Sequence, residues 1–106
     1  MMPLRQQKSH IVHKIVFSKT AVANLVGQAK YIFEQTKNED VADRYLDKMK
    51  NYIIQTLSNF PKAGRPTEEL SASTRKLVYQ GYSIIYSASD MQIEILVIFR
   101  ENLPRL

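Results

Sequence analysis

The 106-residue chain contains no cysteine, so neither a disulfide nor a thiolate nucleophile is available to it. Its three glycines, Gly27, Gly64 and Gly81, each stand alone, and no glycine-rich loop exists to cradle a phosphate. The only histidines, His10 and His13, lie three apart in a stretch that reads as a strand, which sends them to opposite faces. With no HExxH or comparable spacing, neither a metal site nor a cofactor is expected. No apolar run approaches the ~20 residues that a membrane-spanning helix requires. Met1 to Lys14 mixes charge with single apolar residues and lacks the unbroken apolar core of a signal peptide. A protein of the cytoplasm, without membrane contact, is the expectation.

What the chain has is 44% hydrophobic residues, enough for one modest core, and a surplus of positive charge. Fifteen Lys and Arg stand against ten Asp and Glu, a formal charge of +5. Residues 1–61 hold nine basic and five acidic side chains, and residues 62–106 hold six and five. The surplus is therefore spread out and forms no dense arm of the kind that coats DNA. It suits an acidic partner, nucleic acid or protein, and equally suits plain solubility.

The chain turns on Phe60-Pro61-Lys62-Ala63-Gly64-Arg65-Pro66. Two prolines and a glycine stop both helices and central strands. Before this elbow the apolar residues recur at helical spacing; after it they alternate. Met1 to Ser9 reads as a polar lead-in, and His10 to Phe17 as a strand covered on much of both faces. Ser18 is placed to cap a first helix with the stripe Val22, Leu25, Val26, Ala29, Ile32 and Phe33. Asn38 caps a second, with Glu39 and Asp40 in its first turn and a stripe from Val41 through Leu57, ending at Asn59. So short a connection makes the helices antiparallel. Thr67 to Ser73 reads as a loop, and Thr74–Tyr79, Tyr82–Ala88 and Gln92–Phe99 as strands joined at Gln80-Gly81 and Ser89-Asp90. Tyr82, Ile84 and Tyr86 should share one face, and Ile93, Ile95, Val97 and Phe99 another. The expected fold is a single α+β domain: an N-terminal strand and an antiparallel two-helix hairpin packed on a four-stranded, mainly antiparallel sheet.

The remaining chemistry-bearing residues are scattered through the second half: Arg65, Arg75, Lys76, Tyr79, Tyr82, Tyr86, Arg100 and Arg105. Arginine grips a phosphate or carboxylate through paired hydrogen bonds, and tyrosine stacks on a base or donates through its hydroxyl. A cationic patch on the sheet is one reading. Tyrosines at strand spacing packing as core, with Arg65 capping the end of the second helix, is the other.

As an ordered set these features resemble the ParE branch of the RelE/ParE superfamily of bacterial toxins, across residues 13 to 100. The match runs from Phe17-Ser18 through Ala21, Leu25, Tyr31-Ile32 and Ala42 to Leu57. Phe60-Pro61-Lys62-Ala63-Gly64-Arg65 is similar to the family's P-x-x-G-R signature, and Arg75 opens the strand after it. Tyr82-Ser83-Ile84-Ile85-Tyr86 is similar to its Y-x-I-x-Y strand, and Ile93 to Ile98 to the closing one. The resemblance implies the toxin component of a type II toxin–antitoxin (plasmid stabilization) system, arresting growth until a cognate antitoxin binds it in a hetero-oligomer. ParE-like members poison DNA gyrase as protein inhibitors with no catalytic residues; RelE-like members cut mRNA in the ribosome. In the second case Arg75, Lys76, Tyr86 and Arg100 would surround the phosphate. Ser83 stands where RelE-like toxins usually carry arginine, and six residues after Arg100 leave no C-terminal extension for a proton donor, which favours gyrase over catalysis. An inactive remnant that only binds antitoxin is a third reading. Arg65, Arg75 and Arg100 are then candidates for target or antitoxin recognition, and Leu25, Ala29 and Ile32 for the antitoxin groove.

Overall fold

Local capping chemistry sets the helical layer. In the computed structural model, which describes residues 14–67 and 73–100, strand β1 (Lys14–Phe17) leads directly into helix α1 (Lys19–Thr36). Ser18 sits between them in extended conformation, and its hydroxyl accepts the Ala21 N–H at 3.0 Å. Lys37 ends α1 in the left-handed region (φ 56°), donating its N–H to the Phe33 carbonyl. The Asn38 side chain then accepts the Val41 N–H at 3.2 Å and starts helix α2 (Glu39–Asn59). Both caps, and the end of α2 at Asn59, agree with the sequence reading.

The sheet has five strands, one more than expected. After α2 come β2 (Arg65–Pro66), β3 (Thr74–Tyr79), β4 (Tyr82–Ala88) and β5 (Gln92–Arg100), in the spatial order β1-β5-β4-β3-β2. The added strand lies inside the elbow, at the sheet edge, where proline's missing N–H does no harm. β1 runs parallel to β5, and every other pair is antiparallel. Gln80 (φ 47°) and Gly81 (φ 86°) form the β3–β4 turn, with the positive φ at both central positions that matches strand twist. The β4–β5 connection takes three residues, closed by the Ser89 N–H on the Gln92 carbonyl at 2.8 Å. Of the expected first strand, residues 10–13 lie outside the described residues, as do the lead-in 1–9, residues 68–72 of the loop, and Arg105.

Ala21 and Leu25 of α1 and Met49, Ile53 and Leu57 of α2 pack on Leu77, Tyr82, Ile84, Tyr86, Ile93, Ile95 and Ile98. Each such aliphatic side chain, fully buried, contributes about 1.5–3 kcal/mol. Two expectations fail here, for distinct reasons. Val22, Val26 and Phe33 belong to the apolar stripe of α1 but stay exposed, at 48%, 62% and 42%. The helix is apolar over a wider arc than the sheet can cover. Ile93, Ile95, Val97 and Phe99 do not share a face either. Ile85 pairs with Val97 but Tyr86 pairs with Ile95, so Leu96 is an extra residue, a β-bulge. Beyond it the parity of β5 reverses: Ile98 is buried and Phe99 is exposed.

The bulge is held from α1. The Ser18 hydroxyl that caps the helix also donates to the Leu96 carbonyl at 2.8 Å, serving both elements with one side chain. Ser18→Ala removes a cap and strands a carbonyl, for an expected loss of about 2 kcal/mol. Urea denaturation should read this as a lower midpoint at unchanged slope. A midpoint equal to wild type would show that neither bond matters.

Candidate functional site

The elbow identified in the sequence is pinned to the sheet by two side chains previously weighed as chemistry. Tyr86 is fully buried in the middle of β4. Its hydroxyl donates to the Pro61 carbonyl at 2.8 Å and accepts the Gly64 N–H at 2.9 Å. Burial pushes its ionisation upward, against the opposing pull of the Gly64 N–H and of Arg75. Arg75, the cross-strand partner of Tyr86, donates from Nε to the Gly64 carbonyl at 2.9 Å. Gly64 itself is buried beneath them. The P-x-x-G-R segment is thus a joint: tyrosine and arginine meet its backbone, and only glycine leaves them room.

Arg100 sits at the other end of the sheet. It pairs with Tyr82 across β4–β5, and the shifted parity of β5 turns it toward the helices. Its guanidinium carbon lies 5.6 Å from the centre of the Tyr31 ring on α1 and 5.8 Å from that of Tyr82. Tyr82 is fixed in turn, its hydroxyl donating to Gln28 Oε1 at 2.7 Å and its ring meeting Tyr45 edge-on at 6.0 Å. Burial, with Tyr45 close by, pushes the Tyr82 phenol up to about 12. It therefore stays protonated throughout the neutral range.

The four residues of the ribonuclease reading do not converge. Tyr82 and Tyr86, the partners of Arg100 and Arg75, are four residues apart on β4, about 13 Å at strand rise. Lys76 pairs with Ile85 on the face away from Tyr86, and Arg65 pairs with Lys76 at the β2 edge. Tyr86 has both its hydroxyl functions committed to the elbow. Of the residues proposed for the antitoxin groove, Leu25 is buried in the core, while Ala29 and Ile32 are half-buried. The exposed apolar row is instead Val22, Val26 and Phe33, at steps of four and seven on one side of α1. The sequence had placed all three in its stripe; it offered no signal for which arc the sheet would leave open.

An apolar cleft also opens between the elbow and the β4–β5 turn, lined by Phe60, Pro61, Ala63 and Ala88 with Lys62 and Asp90 at its rim. Among the described residues no group of three or more His, Cys, Asp or Glu is placed to hold a metal. Nor is any described helix long and apolar enough to cross a membrane.

Comparison with known proteins places this geometry. Residues 15–102 match the model of the ParE toxin of the type II toxin–antitoxin system parDE. Among curated protein sequences, none matches. Among solved structures, the chromosomal ParDE toxin–antitoxin system from P. aeruginosa is similar at TM-score 0.73 and 19% identity, over 87% of this chain and 99% of that one. The toxin–antitoxin complex RelBE2 from Mycobacterium tuberculosis is similar at TM-score 0.63 and 21% identity, over 84% and 91%. Those two likenesses establish the shared fold, two helices on a mixed five-stranded sheet. The family match spans most of the chain, and the protein belongs to the ParE toxin family of type II toxin–antitoxin systems.

Proposed function

We propose that the chain inhibits DNA gyrase by docking, without chemistry of its own, and that a cognate antitoxin silences it in a hetero-oligomer. Family membership supports the toxin role. The observation that carries the non-catalytic half is the employment of Tyr86 and Arg75 at the elbow. The hydroxyl and guanidinium that could serve a phosphate are bonded to Pro61 and Gly64. Near Arg100 the phenol of Tyr82 is spent on Gln28. A cleaving enzyme requires groups within reach that give and take a proton; beside Arg100 the one phenol not committed within the described residues is that of Tyr31.

The exposed row Val22, Val26 and Phe33 supports the antitoxin half. An amphipathic helix laid along α1 would bury these side chains, and the basic balance of the chain suits an acidic partner. Among the described residues β1 and β2 form the edges of the sheet, the places where an added strand would pair.

The test is a supercoiling assay with purified gyrase. Addition of the chain should block supercoiling and trap cleaved DNA, and prior addition of antitoxin should prevent both. Unimpaired supercoiling, together with codon-positioned cuts in message that vanish in Arg100→Ala, would replace gyrase with the ribosome as target. Growth unaffected by induced expression, with antitoxin binding retained, would identify a remnant.

A further inference from the structure

We propose that Arg100, clamped between Tyr31 and Tyr82, is a socket for a single carboxylate, an Asp or Glu side chain of the antitoxin; this rests on the antitoxin reading above. The two rings hold the guanidinium through their faces, 5.6 and 5.8 Å from their centres, which leaves its N–H groups unspent among the described residues. Arg100 makes no ion pair among the described residues. The clamp is stiff, because the Gln28 bond and the Tyr45 contact fix the Tyr82 ring. An arginine so positioned presents a planar fork that matches a carboxylate through two parallel hydrogen bonds.

A phosphate backbone would make the same bonds, but the surroundings favour a protein. Grip on nucleic acid comes from several phosphate contacts acting together. Among the described residues the guanidinium is alone here. Arg65 and Lys76 lie at the opposite edge of the sheet, and Lys19 and Lys30 occupy the side of α1 turned away from it. The immediate neighbour that reaches solvent is Tyr31, 45% exposed. A tyrosine and an arginine forming one partly buried spot have the composition of a protein–protein hot spot.

The experiment is calorimetric titration of the chain with its cognate antitoxin. Arg100→Gln should weaken binding about 10- to 100-fold, the value of a charge-assisted hydrogen-bonded pair. Arg100→Lys, which keeps the charge and loses the fork, should recover only part of that. Each Asp and Glu of the antitoxin is then changed to Asn or Gln in turn. The Arg100→Gln effect should disappear against one member of that panel and persist against the rest. Circular dichroism and a thermal melt confirm that Arg100→Gln is folded. Wild-type affinity in a folded Arg100→Gln, or an effect equal across the whole panel, overturns the socket alone. Absence of binding by the wild-type chain overturns the antitoxin reading and the socket with it. Binding to an RNA or DNA oligonucleotide that Arg100→Gln abolishes, at unchanged antitoxin affinity, overturns the socket in favour of phosphate.

Discussion

Gly64→Ala lowers the stability of the domain by about 3 kcal/mol, the upper part of the range for overpacking a close-packed site. A Cβ at this position would lie 2.8 Å from the Lys76 carbonyl oxygen and 2.8 Å from Cε1 of Tyr86. Neither neighbour can yield. One is backbone in a strand, and the other is a fully buried ring whose hydroxyl is tied at both ends. The elbow must therefore move, and the bonds from Tyr86 and Arg75 loosen with it. For a domain of this size the thermal midpoint should fall by roughly 12–24 °C. Tyr86→Phe keeps the ring and deletes only the two hydroxyl bonds, for a smaller loss of about 1–3 kcal/mol. Gly27→Ala makes the opposite control. Nothing lies within 4 Å of its added Cβ, and alanine in a helix should stabilise by about 0.5–1 kcal/mol. A Gly64→Ala midpoint within error of wild type would show that the elbow adjusts freely and that its glycine is incidental.

Val26→Asp should abolish neutralisation by the antitoxin while leaving the fold intact. Val26 is 62% exposed, so a carboxylate there meets water in the free chain and costs little. Under a docked apolar helix the same carboxylate would lose its hydration, and the affinity should fall by at least about 30-fold, the scale of a hot-spot loss. Phe33→Asp should act in the same direction, and Val22→Asp with it. Leu25→Asp, one residue away but buried, should fail to fold instead. The measurement is antitoxin affinity beside a thermal melt for each variant. Full affinity in Val26→Asp would move the antitoxin off this side of α1.

Much of the fold was legible because its signals are local. Ser18 and Asn38 cap by hydroxyl and amide chemistry confined to a few residues, and the Gln80-Gly81 turn follows from backbone conformations few residues adopt. The elbow was legible as a break but not as a strand, since two residues at an edge carry no periodicity. The bulge at Leu96 was illegible for a different reason. The bulge is met by a long-range bond from Ser18, and the unbroken apolar run from Ile95 to Phe99 leaves the parity of the strand open in the sequence. The site suffered likewise. Tyr86 and Arg75 have the right chemistry for a phosphate, and only the position of Gly64 and Pro61 beside them gives that chemistry another use. The aromatic clamp on Arg100 joins α1, β4 and β5, which no spacing rule connects.

Leu96 has one more implication. Were β5 regular at the same length, with Leu96 paired like its neighbours, odd-numbered positions would stay beneath the helices to its end, with Phe99 covered and Arg100 on the open side of the sheet. The supernumerary backbone unit exchanges grease for charge at the mouth of the helical layer. Strand regularity, rather than composition, then decides whether this chain offers an acidic visitor anything to hold.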